Sequence, residues 1–422
     1  MEYWSYIFSS FGALLFILFK KRRIDLFTIL MLCTFYYSSP LLNGILYDTD
    51  MHKIIKISPK IYWFYTFLYG AMIYAANKFD KIDHLFISKN IYNHSYLQFY
   101  LFMTSLIFLI LVTIDWSFFL QQEAYEKSAK QFGPLWAAFT ASILTFLSLA
   151  KNSSYKSYIV TALFFLLTTL IAGSRAYFAA GAIVFIICTY KSSLPIRIAS
   201  NISVLLKITF GFLFLFFWKS AYPFILAGQF MEAHQTITDP VAIGFRLFKG
   251  SEAGLCMLNF HHAIDYFETS PGSFFELIVV KLIPFLSSEF ASGFNLNGSS
   301  FSDILNIKYY QTVTYGMGSN LWGSIYYVSG SLGLILFVAL FLWLVFILNK
   351  LIKINDLWSH HLVGPSTFLC FYGTRIEVAN IAYFFYVNIT MFVFCIIMVS
   401  LIKHKHYRKS TTHFGSTKLG LQ

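Results

Sequence analysis

Residues 325–349 read IYYVSGSLGLILFVALFLWLVFILN, an uncharged run long enough to cross the hydrocarbon core of a bilayer as a helix. The sequence contains about eleven such runs, and each must be helical because lipid offers the backbone no hydrogen-bond partners. The fold class that follows is an all-α polytopic membrane protein with one large external loop. The predicted spans lie at residues 3–19, 24–47, 61–76, 97–114, 134–150, 157–172, 177–190, 198–218, 325–349, 357–372 and 378–402.

Composition supports the same fold class. Hydrophobic residues make up 57% of the chain and charged residues only 12%, which leaves too few charges to solvate the surface of a soluble domain. A net charge of +12 would favour nucleic acid as the partner of a soluble protein, but here the basic residues concentrate at alternate span ends. Membrane lipid is therefore an expected partner and nucleic acid is not.

The distribution of charge predicts how the chain is oriented. Basic residues follow the first span at 20–23 and recur at 403–409, whereas most carboxylates fall at the other span ends and in the long loop. Because basic span ends face the cytoplasm, the N-terminus and the long loop are expected outside and the tail inside. In a bacterium with two membranes, this orientation corresponds to an inner-membrane protein with a periplasmic loop.

Four segments result from this reading. Residues 1–218 form an N-terminal membrane bundle of about eight spans, and residues 219–324 form the large periplasmic loop. The loop is expected to be partly helical because its segment GLCMLNFHHAIDYFE, residues 254–268, has a helical apolar period. The C-terminal segments are the spans of residues 325–402 and the basic cytoplasmic tail of residues 403–422.

Cofactor chemistry leaves no signature in the sequence. Four of the five cysteines lie in apolar runs, so a disulfide within the loop is excluded. His, Cys and Asp residues do not recur at the intervals that metal coordination requires, and glycine-rich nucleotide loops are missing. Neither a metal nor another cofactor is expected.

Two short external turns each carry one arginine. GSR at residues 173–175 separates two apolar runs, and GTR at residues 373–375 occupies the last predicted external turn. A guanidinium beside the exposed N–H groups of a helix start is suited to pyrophosphate, so Arg175 and Arg375 are candidate anion ligands. The alternative is an arginine that only anchors its helix at the membrane interface.

The long loop contributes further charges and the candidate bases. In GFRLFKGSEAG, the residues Arg246, Lys249 and Glu252 are three apart and would share a helical face, either as a phosphate site or as a solvated surface. His261 and Asp265 have the i, i+4 spacing at which a carboxylate can orient an imidazole as a general base. The same spacing also occurs in pairs that are only structural.

A glycine-rich segment, GMGSNLWGSIYYVSGSLG, runs from residue 316 to residue 333 into the ninth span. Its first three glycines predict a sharp turn or a close backbone approach, whereas Gly330 and Gly333 fit a helix-packing face. Together with the overall layout and the GSR turn, this segment resembles bacterial O-antigen polymerases of the Wzy type. That family often has an acidic residue where Gly323 and Ser324 stand, so no catalytic acid is assigned there.

The resemblance implies polymerisation of oligosaccharide repeat units that are carried on undecaprenyl pyrophosphate. Lipid-linked oligosaccharide would be both donor and acceptor, and a chain-length regulator protein is a further candidate partner. Cations would hold the pyrophosphate without a metal, and a base would take the proton of the attacking hydroxyl. The candidate cations are Arg175, Arg246, Lys249 and Arg375, and the candidate bases are His261, Asp265 and Glu252.

Two other functions share parts of this pattern. O-antigen ligases also combine an arginine turn with a large external loop, and they differ in using lipid A core as acceptor. A lipid-linked oligosaccharide flippase or other transporter should carry charges at several positions within its spans and short loops on both sides. These spans are nearly uncharged, so polymerisation is the expected function, with ligation and transport as the alternatives.

Overall fold

The computed structural model of the protein consists almost entirely of helices. It describes residues 1–19, 24–48, 53–83, 94–114, 133–151, 153, 156–172, 175–190, 221, 224–225, 227–239, 252–266, 320–354, 357–375 and 378–415. The helices in these ranges are α1 Glu2–Phe19, α2 Leu26–Ser38, α3 Pro59–Asp83, α4 His94–Ile114, α5 Gly133–Lys151, α6 Lys156–Ile171, α7 Arg175–Tyr190, α8 Phe230–Thr238, α9 Glu252–Tyr266, α10 Leu321–Ile354, α11 Leu357–Tyr372 and α12 Val378–Gly415. Short 3₁₀ helices, Ser39–Asn43 and Gly373–Arg375, follow α2 and α11. Strands β1, Ile45–Asp48, and β2, Lys53–Lys56, pair antiparallel.

Length and composition of the helices confirm an all-α membrane protein. Among the described residues, five helical segments are long and apolar enough to cross a bilayer, at Glu2–Phe19, Leu26–Asn43, His94–Ile114, Leu321–Lys353 and Tyr383–Leu401. Three shorter apolar helices lie at Leu135–Lys151, Lys156–Ile171 and Ala176–Cys188. The predicted span at 198–218 lies outside the described residues, and the total of about eleven spans stays a prediction.

Polar and apolar side chains are distributed as lipid surroundings require. On α10, Leu332 is 75% exposed and Trp343 is 63% exposed, whereas α5 and α11 bury their hydroxyl and imidazole groups. In water the exposed apolar area would be unfavourable, whereas lipid favours it. Lipid also offers no hydrogen-bond partners, so the polar groups are better placed inside the bundle. The buried polar residues of these two helices are Thr140, Ser142, Thr145, Ser148, Ser359, His360, His361, Ser366 and Thr367.

Helix α11 occupies the centre of the bundle, where it packs against α2, α5, α7, α10 and α12. The Ser148 hydroxyl of α5 lies 3.0 Å from Nδ1 of His360, which forms a hydrogen bond between the two helices. Further along the same contact, a Cβ added at Gly364 would lie only 2.8 Å from the Cβ of Leu144. A small residue is therefore what lets α5 approach α11 closely, as in many membrane helix pairs.

The two ends of the bundle can be told apart by side-chain contacts. At one end, Tyr37 near the end of α2 packs against Cys256 of α9, and the Tyr6 hydroxyl of α1 donates to the Ser38 carbonyl at 2.7 Å. We call this the α9 end. At the opposite end, the Asn349 amide of α10 donates to the Asp25 carboxylate at the start of α2, at 3.2 Å. Thus α1 begins at the α9 end and α2 returns to it.

The close approach at Gly364 generates a test of the bundle packing. Gly364→Ala should lower the thermal unfolding midpoint, because the new methyl group overpacks the α5–α11 contact at a typical cost of about 1–3 kcal/mol. Gly70→Ala on α3 is the matched control, since a Cβ there meets nothing within 4 Å and the gain in helix propensity is the same. Equal midpoints for the two purified variants would contradict the close contact.

Candidate functional site

Helix α9 confirms the helix predicted at residues 254–268, with its bounds two residues earlier. It contacts α2, α3, α10, β1 and the first 3₁₀ helix, so it lies among the ends of several helices. Every side chain from Cys256 to Ile264 is buried. A helix that is buried on all sides belongs to the core of a folded unit, so this part of the long loop is an integral element of the bundle.

Aromatic rings attach α9 to its neighbours. The ring of Phe260 lies edge-on to the rings of Phe64 and Tyr65 on α3, with centroids 5.1 and 6.0 Å away. Phe64 in turn contacts Trp322 in the first turn of α10 at 5.6 Å. Such aromatic pairs add about 0.5–1.5 kcal/mol each beyond their burial, so this cluster fixes α9 between α3 and α10.

The Asn320 side chain connects α9 to α10 through two hydrogen bonds. Its carbonyl oxygen accepts from the Gly323 amide at 2.9 Å, which caps the start of α10. Its amide nitrogen donates to the Cys256 carbonyl of α9, also at 2.9 Å. Because the Asn320 side chain is fully buried, both bonds are shielded from water. One residue therefore sets the position of α9 relative to the start of α10.

His261 and Asp265 form the predicted i, i+4 pair on α9, with Nδ1 of the imidazole 3.5 Å from the carboxylate. The side chain of His261 is 3% exposed and that of Asp265 is 28% exposed. Burial lowers the pKa of His261, and the nearby Asp265 carboxylate only partly opposes this shift. The imidazole is therefore neutral at pH 7, and the carboxylate is the member of the pair that solvent reaches.

Arg175 and Arg375 lie at the same end of the bundle as α9. Helix α10 begins beside α9, and α11 returns after two intervening residues, so Arg375 just beyond α11 is at the α9 end. The start of α7 is there as well, because Tyr177 stacks on Phe368 of α11 at 5.1 Å. Arg175 is the first residue of α7, and its side chain lies outside the described residues.

Arg375 ends the second 3₁₀ helix, which contacts α2, α10 and α11. Its guanidinium carbon lies 5.3 Å from the ring centre of Tyr372, a cation–π contact that positions the guanidinium. Helices α2 and α10 flank α9 as well, so Arg375 and the His261–Asp265 pair share two neighbouring helices.

Several predicted site residues lie outside the described part of the chain. Arg246 and Lys249 are among them, as is the side chain of Glu252, although the Glu252 backbone begins α9. Of the predicted external loop, residues 219–324, the structure describes residues 221, 224–225, 227–239, 252–266 and 320–324. The roles assigned to these three residues stay predictions.

The structure decides between the two interpretations of Gly330. A helix-packing face was the alternative for this residue, but α10 loses helical geometry there, with φ at 67° and ψ at −167°. This backbone conformation is open to glycine and strained for other residues. Gly333 is crowded, because a Cβ at that position would collide with the Ser329 side chain. The sharp change of direction that the segment predicts thus occurs at Gly330, within the long helix.

Sequence reasoning missed Asn320, although the residue stands within the quoted glycine-rich segment. The available signal was its place immediately before a helical run, where asparagine is a preferred N-cap. Its second bond, to α9, had no signal because the Cys256 carbonyl is 64 residues away in sequence. A contact of that kind depends on tertiary packing.

Comparison of the chain with protein-family models, with curated protein sequences and with solved structures gives no match. Within the part of the chain that the structure describes, no group of three or more His, Cys, Asp and Glu side chains could hold a metal ion. What the α9 end offers chemically is a solvent-accessible carboxylate 3.5 Å from a neutral imidazole, with Arg175 and Arg375 at the same end.

Two variants can separate the two roles of Asn320. Asn320→Ser keeps a hydroxyl that caps α10 but is too short to reach the Cys256 carbonyl, whereas Asn320→Ala loses both bonds. We expect Asn320→Ala to lose about 1 kcal/mol more stability than Asn320→Ser, measured by unfolding of the purified protein. Both variants should expose Cys256 to a thiol reagent faster than the natural chain does. Unchanged Cys256 reactivity in both would contradict the connection between α9 and α10.

Proposed function

We propose that this protein polymerises lipid-linked oligosaccharide repeat units at the α9 end of its helix bundle, as O-antigen polymerases do. The observation that supports this most is the common location of Arg175, Arg375 and the Asp265 carboxylate at one end of the bundle. Transfer of a glycan from a pyrophosphate carrier needs cations for the leaving group and a base for the incoming hydroxyl. The α9 end contains both kinds of group.

In the proposed reaction, a sugar hydroxyl of one lipid-linked repeat unit attacks the anomeric carbon of the glycan on a second carrier. The new glycosidic bond forms as the carbon–oxygen bond to the carrier breaks, and undecaprenyl pyrophosphate leaves with the bonding electrons. Arg175 and Arg375 would stabilise the charge on the leaving pyrophosphate, because a guanidinium binds two phosphate oxygens at once. Arg246 and Lys249 are further candidates for this role.

Asp265 is the preferred base in this proposal. Its carboxylate is partly exposed, whereas the imidazole of His261 is buried behind it and neutral. Asp265 would accept the hydroxyl proton, and His261 would act as the positioning residue that holds the carboxylate. Glu252, at the start of the same helix, remains the alternative carboxylate.

The proposal includes a bacterial inner-membrane location, about eleven spans and a periplasmic α9 end. The chain termini support this orientation. Helix α1 begins at the α9 end, next to the end of α2. Helix α12 begins near Phe368, because Phe384 lies 4.7 Å from its ring, and then runs away toward the basic tail. An external N-terminus and a cytoplasmic tail follow if the α9 end is periplasmic.

Loss of either arginine should reduce polymerisation. Arg175→Ala and Arg375→Ala each remove a proposed bidentate contact that contributes about 1.5–3 kcal/mol. A loss of this size corresponds to a rate lower by on the order of ten- to a hundredfold. The matched control is Arg197→Ala, which the sequence places on the cytoplasmic side. The measurement is the length distribution of surface polysaccharide at equal protein abundance. Surface polysaccharide of single repeat units would indicate lost polymerisation. Surface polysaccharide without any repeat unit would indicate that the protein acts in ligation or transport instead. Full-length polymer from both variants would refute the arginine roles.

The His261–Asp265 pair generates a pH prediction. Because burial lowers the pKa of His261 from its ordinary value of 6.5, the imidazole becomes protonated only as the pH falls below that value. A protonated imidazole would bind the Asp265 carboxylate as an ion pair and weaken it as a base, so the rate should decline there. His261→Gln should move this decline to lower pH, and Asp265→Asn should abolish turnover at every pH. An unchanged pH profile in His261→Gln would show that His261 does not act on the base.

A further inference from the structure

The β1–β2 hairpin has one face against the bundle and one face turned away from it. Ile45 pairs with Lys56, and Ile54 is two residues from Lys56, so these three side chains share a face. Ile54 is 63% exposed and Ile45 is also exposed, whereas Leu46 and Ile55 of the other face pack into the core. Exposed isoleucines on a small hairpin would be unfavourable in water.

Two exposed tryptophans flank the base of the hairpin. The hydroxyl groups of Tyr3 and Tyr62 donate to backbone carbonyls of the Ser39–Asn43 helix, at 2.7 and 3.3 Å. These bonds hold the starts of α1 and α3 beside the residues that enter β1. The next residue after each tyrosine is an exposed tryptophan, Trp4 on α1 and Trp63 on α3. Exposed tryptophans at helix ends are typical of the interface between membrane and water.

An apolar surface continues from these tryptophans along both helices. Phe8 lies one turn after Trp4, and Phe67 lies one turn after Trp63, and all four side chains are exposed. The hairpin therefore joins the lipid-facing surface of α1 and α3 at the level where those helices begin. Because this apolar surface is continuous, the exposed face of the hairpin is expected to contact the membrane surface.

Lysines add charge complementarity to this surface. Lys56 at the end of β2 and Lys60 in the first turn of α3 are both exposed. Basic side chains at a membrane surface attract anionic headgroups, while isoleucine and tryptophan insert between them. We propose that the outer face of the hairpin lies in the membrane surface at the α9 end, where Lys56 and Lys60 bind the phosphate group of an anionic phospholipid.

This contact bears on the rest of the molecule because β1 also packs against α9. A hairpin held by headgroups sets the depth of α9 relative to the bilayer, whichever reaction the protein catalyses. The inference therefore depends on the membrane location of the protein and not on its proposed activity.

A fluorophore on the hairpin tests the proposal in the full-length protein. Ile54→Cys is labelled with an environment-sensitive dye and reconstituted into phosphatidylcholine vesicles that contain spin-labelled phosphatidylglycerol or spin-labelled phosphatidylcholine at the same mole fraction. Lys53→Cys is the matched control, because Lys53 is the adjacent residue, is exposed and belongs to the opposite face. The chain without an added cysteine, treated with the same dye, gives the background.

We expect strong quenching at residue 54 and weak quenching at residue 53, with phosphatidylglycerol preferred at residue 54. Lys56→Gln and Lys60→Gln should each reduce this preference about fivefold, since one basic residue contributes about that factor to binding an anionic surface. Equal, weak quenching at both positions would overturn the location of the hairpin. Two results would overturn the headgroup contact. One is quenching at residue 54 that shows no preference between the two lipids, and the other is a preference that the lysine variants leave unchanged.

Discussion

Burial of polar groups away from lipid is the constraint on which the rest of the structure depends. A hydroxyl or amide left without a partner in hydrocarbon costs about 4–8 kcal/mol, whereas one hydrogen bond between membrane helices contributes only about 0.6 kcal/mol on average. Desolvation therefore decides where α11 lies, and its individual bonds only refine the position. With His360, His361, Ser366 and Thr367 all buried, α11 has to be enclosed by other helices. That central position brings the starts of α7 and α12 to the end of α11.

The same reasoning accounts for α9. Its imidazole and amide groups are buried in the bundle end, while Asp265 near its C-terminus is reached by solvent. In serine hydrolases the carboxylate is buried and the imidazole faces the substrate. Here the order is reversed, and this is why the proposed mechanism gives the proton-accepting role to the carboxylate. The break in α10 at Gly330 separates the segment that holds α9 from the longer apolar segment that follows.

Hydropathy and periodicity predict most of the long helices, and they do not predict how these helices contact one another. The long described helices coincide with predicted apolar runs because each residue's transfer into lipid is a local property. Helix α8 and the β1–β2 hairpin were not predicted, and the predicted span at 24–47 ends as a 3₁₀ helix and strand β1. Helix α9 was predicted from its own period, but its burial on all sides depends on partners such as Phe64, almost two hundred residues earlier. The sequence places Arg175 and Arg375 in two separate predicted turns, and their location at one end of the bundle depends on the stacking of Tyr177 on Phe368. Asn320 and Gly330 have roles set by the position of α9 and by backbone geometry, which no local pattern specifies.

The central claim is that α9 is a core element of the bundle end and not a solvated loop helix. Hydrogen–deuterium exchange of the full-length protein in a bilayer measures this directly, because amides of a buried helix exchange only when the surrounding structure opens. Helix α8, whose side chains are mostly exposed, provides an internal comparison. The account predicts that residues 256–264 exchange as slowly as the buried part of α2 and far more slowly than α8. Exchange of residues 256–264 at the rate of α8 would contradict it.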